Sequence, residues 1–273
     1  MEQLESFGRL CLNQATTKKW SLNEAVEGCA RAEIPWIGLW RDKVAETGLK
    51  KSRQLVRDAG LKVSSLIAGG YFTALSAVER QKRFDENIRA IEELAELGGK
   101  VLVVVGGVLH DRDIDGARKR VEEGIEQLVP YARSYGIQLG VEPLHPMYAA
   151  ERNVINTLAQ ANDLVKRYRP ENVGVIVDVF HVWWDPDLYH QIARAGEHIV
   201  GFHVSDWIVP TPDMYLGRGM MGDGFIEIHR IRKALDAVGY QGPIEAEIFN
   251  QSIWDRPGDE VVALVKERYL EHV

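Results

Sequence analysis

Short apolar runs recur eight times along this 273-residue chain, and each is followed by a longer stretch whose apolar residues have helical spacing. The runs are Arg9–Asn13, Trp36–Trp40, Lys62–Ala68, Lys100–Gly106, Gln138–Pro143, Val173–Phe180, Ile199–Ser205 and Pro243–Phe249. Several are almost unbroken in Val, Ile and Leu, Val101-Leu102-Val103-Val104-Val105 most of all. Strands read this way when both faces of their sheet are covered, because neither set of alternating side chains meets water. The intervening stretches, Ser76–Leu97 and Asp113–Tyr135 among them, carry charges around an apolar stripe and suit helices lying on such a sheet. Regular alternation of the two patterns implies parallel strands with helices outside. Eight units predict an α/β fold closed into a (β/α)8 TIM barrel, one domain over residues 1–273, with an open doubly wound sheet as the fallback.

The boundaries carry their own signals. Ser21 with Glu24 has the spacing of a capping box at the first helix. Gly60, Gly98-Gly99, Gly136 and Gly239 fall where helices must stop before the next strand. No linker or low-complexity tract divides the chain. The net charge of −7 gives no electrostatic reason to bind nucleic acid, and no apolar run reaches membrane-spanning length. The opening Met-Glu-Gln-Leu-Glu lacks a signal-peptide core, and Cys11 and Cys29 have no spacing for a thiolate site, so buried reduced thiols and a cytoplasmic location are expected.

Chemistry in such barrels sits where strands end. There the last four runs each carry an acid or a histidine inside apolar sequence: Glu142, Asp178, His203 and Glu247. A lone buried carboxylate costs several kcal/mol unless it is paired, and three converging carboxylates repel one another. One divalent cation resolves both difficulties. An oxygen-rich set with one imidazole suits Mn²⁺ first, then Mg²⁺, with Co²⁺ and Zn²⁺ as alternatives.

These residues, with the Asp178-x-x-His181 pair, resemble the signature of the xylose isomerase-like superfamily, and the whole chain is similar to its sugar phosphate isomerase/epimerase group. The resemblance implies that Glu142 and Glu247 both ligate the metal and move protons. One removes a proton next to a substrate carbonyl, and the cation steadies the resulting enediolate until it is reprotonated. It also implies a small carbohydrate substrate and a homo-oligomer, dimer or tetramer. It makes His181 a contact to a substrate hydroxyl and Arg218 a contact to a substrate oxygen.

Other positions remain open between roles. His145, in Glu142-Pro143-Leu144-His145-Pro146, stands near where epimerases of the group have a second glutamate; a histidine there suits a general base. The glycines around Arg218, from Gly217 to Gly224, suit a mobile lid, a close approach to ligand, or a surface turn. Trp40 and Trp207 are candidates for stacking on a sugar ring, and Asn13 for hydrogen bonding to hydroxyls. Glu245 lies one layer deeper than Glu247, where a buried ion pair is expected. Few basic residues, Arg41, Arg152 and Arg218, lie in the predicted strand-end loops, which favours a substrate without phosphate.

Two other activities compete. The same proton removal ends in β-elimination if the next carbon bears a leaving group, as in the inosose dehydratases, dehydroshikimate dehydratases and 3-oxo-glycoside C-deglycosidases of the superfamily. His145 moves weight toward that lyase reading, and a deglycosidase-like protein would be a hetero-oligomer. Repair endonucleases share the barrel but need a three-metal cluster with histidines on early strands; here the third run ends Ala68-Gly69-Gly70-Tyr71.

Overall fold

A computed structural model describes residues 6–273. The opening five residues, on which the absence of a signal-peptide core was read, lie outside the described residues.

Eight parallel strands close into a barrel: β1 (Leu10–Asn13), β2 (Trp36–Trp40), β3 (Lys62–Gly70), β4 (Val101–Val105), β5 (Gln138–Val141), β6 (Val173–Asp178), β7 (Ile199–Val204) and β10 (Ile244–Ala246). A separate antiparallel pair, β8 (Asp206–Trp207) with β9 (Arg218–Gly219), stands beyond the end of β7. Neighbours in the barrel follow chain order, and β10 closes against β1 through Leu10↔Ile244 and Leu12↔Ala246. The open-sheet alternative is thereby excluded.

The predicted long helices form as Ala77–Leu97 and Ile114–Ser134, capped by Ser76 and Asp113. Ser21 and Glu24 make the expected reciprocal capping box on helix Leu22–Arg31. Gly98 ends its helix at φ 78°, a left-handed conformation that costs a glycine little. Among the described residues no helix is long and apolar enough to cross a membrane.

Most apolar side chains fill the layer between sheet and helices, with Leu12, Leu39, Leu66, Leu102, Val177 and Val204 all buried there. A smaller cluster inside the barrel, Ile67, Val101, Val103 and Ile176, packs beside Trp40. Both cysteines are buried and free; burial pushes both thiols up, Cys29 to about 12.

Two runs end as strands earlier than their apolar pattern suggests. Asp178 turns the chain out of β6 because its side chain accepts from Phe180 N–H at 2.9 Å and caps the short helix Val179–Val182. After β10, Glu247 N–H still bonds Val204 O, but Ile248 N–H turns to the Thr16 hydroxyl at 2.9 Å.

Candidate metal centre and substrate cavity

The four expected ligands meet at the C-terminal end of the barrel. Glu142 follows β5, Asp178 ends β6, His203 lies in β7 and Glu247 follows β10. Asp178 is in register with His203, so both side chains point inward from adjacent strands. One potential ligand atom from each residue lies within 4.8 Å of the other three, and all four side chains are buried.

The donors fit a cation better than they fit one another. Glu142 Oε1 and His203 Nδ1 are buried and 3.3 Å apart, yet neither has a well-directed hydrogen-bond partner. Orphaned buried polar atoms are costly, and two that face a shared centre from an oxygen-rich set mark a place for a metal ion. Burial alone would lower the basicity of His203, but Glu245, Glu142 and Glu247 around it push it up to about 10. Burial raises Glu247 to about 8 in spite of Arg218 and His203. The site gathers positive charge because its carboxylates are close and dry.

Beneath the ligands lies a supporting carboxylate. Glu245 is in register with His203 and places Oε2 3.7 Å from Nε2, the imidazole nitrogen facing away from the other ligands. It accepts hydrogen bonds from Ser64 Oγ at 2.8 Å, Ser65 Oγ at 3.1 Å and Asn13 Nδ2 at 2.6 Å. The expected buried ion pair is thus made with His203, inside a nest of hydrogen bonds to Glu245. Gly38 makes room for it, since a Cβ there would come 1.8 Å from Glu245 Oε1.

Arg218 is buried among acids and aromatics. Its Nη1 donates to Asp178 Oδ2 at 2.8 Å and Glu247 Oε2 at 3.0 Å, and Nη2 lies 3.1 Å from His181 Nε2. Phe180 and Phe249 cover the two sides of the guanidinium, with ring centres 4.7 and 4.8 Å away. Burial disfavours its charge, but Asp178 and Glu247 more than restore it. His181 is held well below the usual histidine range by burial, so its ring is neutral at pH 7.

Glu142, Glu247, His181 and Arg218 open together onto a cavity of about 190 Å³, whose walls include Trp40, Tyr71, Leu144, Tyr148, Tyr215 and Phe249. Asp178 and His203 stand behind the two glutamates and do not line it. The tyrosines and Phe249 escaped sequence reasoning because single aromatics scattered through loops carry no periodic signal. Tyr148, six residues after Glu142 on a short 3-10 turn, was the most findable of them.

Three sequence candidates lie elsewhere. His145 does not line the cavity. Its Nδ1 accepts from Met147 N–H at 3.2 Å, and its ring stacks on Trp207 at 5.0 Å and meets Trp184 edge-on. Its backbone N–H donates to His181 Nδ1 at 3.2 Å, so it positions that ring from behind. Trp207 is likewise outside the cavity, stacked 4.8 Å from Phe180, which covers Arg218. Asn13 is fully buried, donating to Glu245 and Glu247 while its Oδ1 accepts from the Trp40 indole at 2.8 Å.

The glycine loop is no loose lid. Asp206 accepts four backbone N–H bonds, from Trp207 and Ile226 on Oδ1 and from Gly222 and Gly224 on Oδ2, all at 2.8–2.9 Å. With the β8–β9 pairing, this clamps the segment that carries Arg218.

Residues 24–268 match the xylose isomerase-like TIM barrel family. The chain belongs to that family. It is 25% identical over 274 residues to an inosose isomerase of Bacillus velezensis, covering 95% of each chain. It is also 25% identical over 260 residues to a 3-dehydroshikimate dehydratase of Pseudomonas aeruginosa, covering 92% of this chain and 40% of that one. Among solved structures, protein SMc04130 of Sinorhizobium meliloti shares 47% identity with a TM-score of 0.95, over 98% of this chain and 99% of the other. The IOLI protein, solved with a binding zinc atom, superposes with a TM-score of 0.87 at 23% identity, over 97% and 98% of the two chains.

Proposed function

We propose that this protein is a divalent-metal-dependent isomerase or epimerase of a small carbohydrate. The observation that carries the reading is that Glu142 and Glu247, from strands on different sides of the site, are the two ligand-set carboxylates that open onto the cavity. Glu142, Asp178, His203 and Glu247 would hold the ion, with Mn²⁺ our first choice for so oxygen-rich a set. When bound, it supplies Lewis-acid polarisation of a carbonyl and a counter-charge for the enediolate. One glutamate takes the proton from the carbon beside the carbonyl, and the other returns a proton to the neighbouring carbon or the opposite face. His181 and Arg218 orient substrate oxygens, and Trp40 and Phe249 exclude water, which keeps the carboxylates basic. The inosose isomerase relative supports this assignment. A cytoplasmic homo-oligomer, dimer or tetramer, completes the reading, and the two free buried thiols support the location.

β-Elimination on a keto-sugar or keto-polyol is the second reading, favoured by the 3-dehydroshikimate dehydratase relative. His145 no longer supports it, because that ring is turned away from the cavity. Incubating Mn²⁺-loaded protein in D₂O with free ketoses and with a 3-oxo-glycoside, followed by NMR, separates the two. Deuterium incorporation with interconversion of ketoses is expected, whereas aglycone release without interconversion would replace isomerase by lyase. Glu142→Gln and Glu247→Gln should each lower kcat by about 10²–10⁴. Metal content of Glu142→Gln and His203→Ala should fall; full occupancy in both would refute the centre.

A further inference from the structure

Three arginines near the strand ends, Arg41, Arg152 and Arg218, have three different surroundings. Arg41 is tied to Glu93 on an outer helix by hydrogen bonds of 2.7 and 3.1 Å. Arg218 bridges Asp178 and Glu247. Arg152 faces the cavity together with Glu142 and His181, and among the described residues no carboxylate is paired with it. Its guanidinium lies 4.6 Å from the Tyr215 ring centre and 5.1 Å from that of Tyr148. Both rings are themselves anchored, Tyr148 through its hydroxyl to Met214 O and Tyr215 against Phe249. Aromatic faces hold a planar guanidinium in place, and beyond its polar contact with the Tyr148 hydroxyl Arg152 keeps further N–H groups to donate.

Arg152 takes no part in the centre's own ion pairs, which run from Arg218 to Asp178 and Glu247 and from His203 to Glu142, Glu245 and Glu247. Glu151 also reaches the cavity, but it is solvent-exposed at the rim and forms no ion pair with Arg152. A half-buried, oriented, unpaired guanidinium in a substrate cavity is an anion receptor. One guanidinium fork matches the two oxygens and single charge of a carboxylate.

We propose that the substrate is a hydroxylated carbonyl acid, of the sugar-acid or cyclitol-acid type, whose carboxylate docks on Arg152. The placement of its carbonyl end at Glu142 and Glu247 rests on the isomerase reading; the placement of its carboxylate does not. The test is isothermal titration of the Mn²⁺-loaded full chain with D-glucose, D-glucuronate and D-glucose 6-phosphate, which share the carbonyl end and differ in charge at the far end. Glucuronate should bind about tenfold more tightly than glucose, the effect of one charge-assisted contact. Arg152→Gln should bring the two level, and Arg152→Lys should recover part of the difference by keeping charge without the fork. Equal affinities in the wild type overturn the proposal. A preference that survives in Arg152→Gln also overturns it, because it would belong to the metal. Tighter binding of glucose 6-phosphate than of glucuronate overturns the carboxylate assignment. The readout is binding, so a protein that selects uronate through Arg152 but converts no sugar would sink the isomerase reading alone.

Discussion

At the residue scale, the barrel spends little chemistry that is not supported from behind. His203 offers Nδ1 toward Glu142 and Glu247, and Glu245 faces its Nε2 from the layer below. A carboxylate there fixes ring orientation and tautomer and raises the basicity of the coordinating nitrogen. Glu245→Gln keeps the shape and most hydrogen bonds but removes the charge, and should weaken Mn²⁺ binding by about 10–100-fold. Titration with Mn²⁺ measures this directly, and an unchanged affinity would reduce Glu245 to a structural group. His145 provides the contrast. His145→Phe retains the stack on Trp207 and loses one hydrogen bond from Met147, so kcat should stay within about threefold, with stability lower by roughly 1 kcal/mol. A steady-state assay with a thermal melt reads both, and a kcat collapse without unfolding would restore His145 as the base.

Elements matter most where the chain leaves β7. The glycines from Gly217 to Gly224 suit a mobile lid by composition, yet one buried carboxylate ties that segment down. Asp206 collects backbone N–H groups from Trp207, Gly222, Gly224 and Ile226, and Gly224 packs so tightly that a Cβ would meet Trp207 O at 2.2 Å. Asp206→Ala would leave four backbone donors unanswered, that of Ile226 buried and the other three half-buried. We expect a loss of roughly 3 kcal/mol in urea unfolding, together with weaker substrate binding as Arg218 loses its seat. Unchanged stability would show the clamp to be redundant with the β8–β9 pairing.

For the whole molecule, the metal centre links folding to ligation. Four ligands from four strands converge only in the closed barrel, so an ion bound there stabilises the folded state alone. At a free Mn²⁺ concentration of 100 times Kd the gain is about 2.7 kcal/mol, which for a chain of this length raises Tm by about 5 °C. EDTA should abolish the increment in the wild type, and Glu142→Gln should show none. A Tm indifferent to both metal and chelator would contradict the centre.

Sequence patterning by itself determined the barrel and its acidic end. Parallel strands buried on both faces must be apolar throughout, so any acid or histidine at their ends stands out against Val, Ile and Leu, and Glu142, Asp178, His203 and Glu247 were legible for that reason. Helix ends were legible too, because caps such as Ser21 with Glu24 act locally. Only the tertiary structure decided which polar groups reach the cavity. Loop residues have no period, and their direction depends on what packs behind them. Asn13 therefore turned inward to serve Glu247 and Trp40, and His145 was drawn into a stack of tryptophans. Arg152 stayed on the wall of the cavity onto which the two glutamates open, against two tyrosines and with no carboxylate paired to it among the described residues.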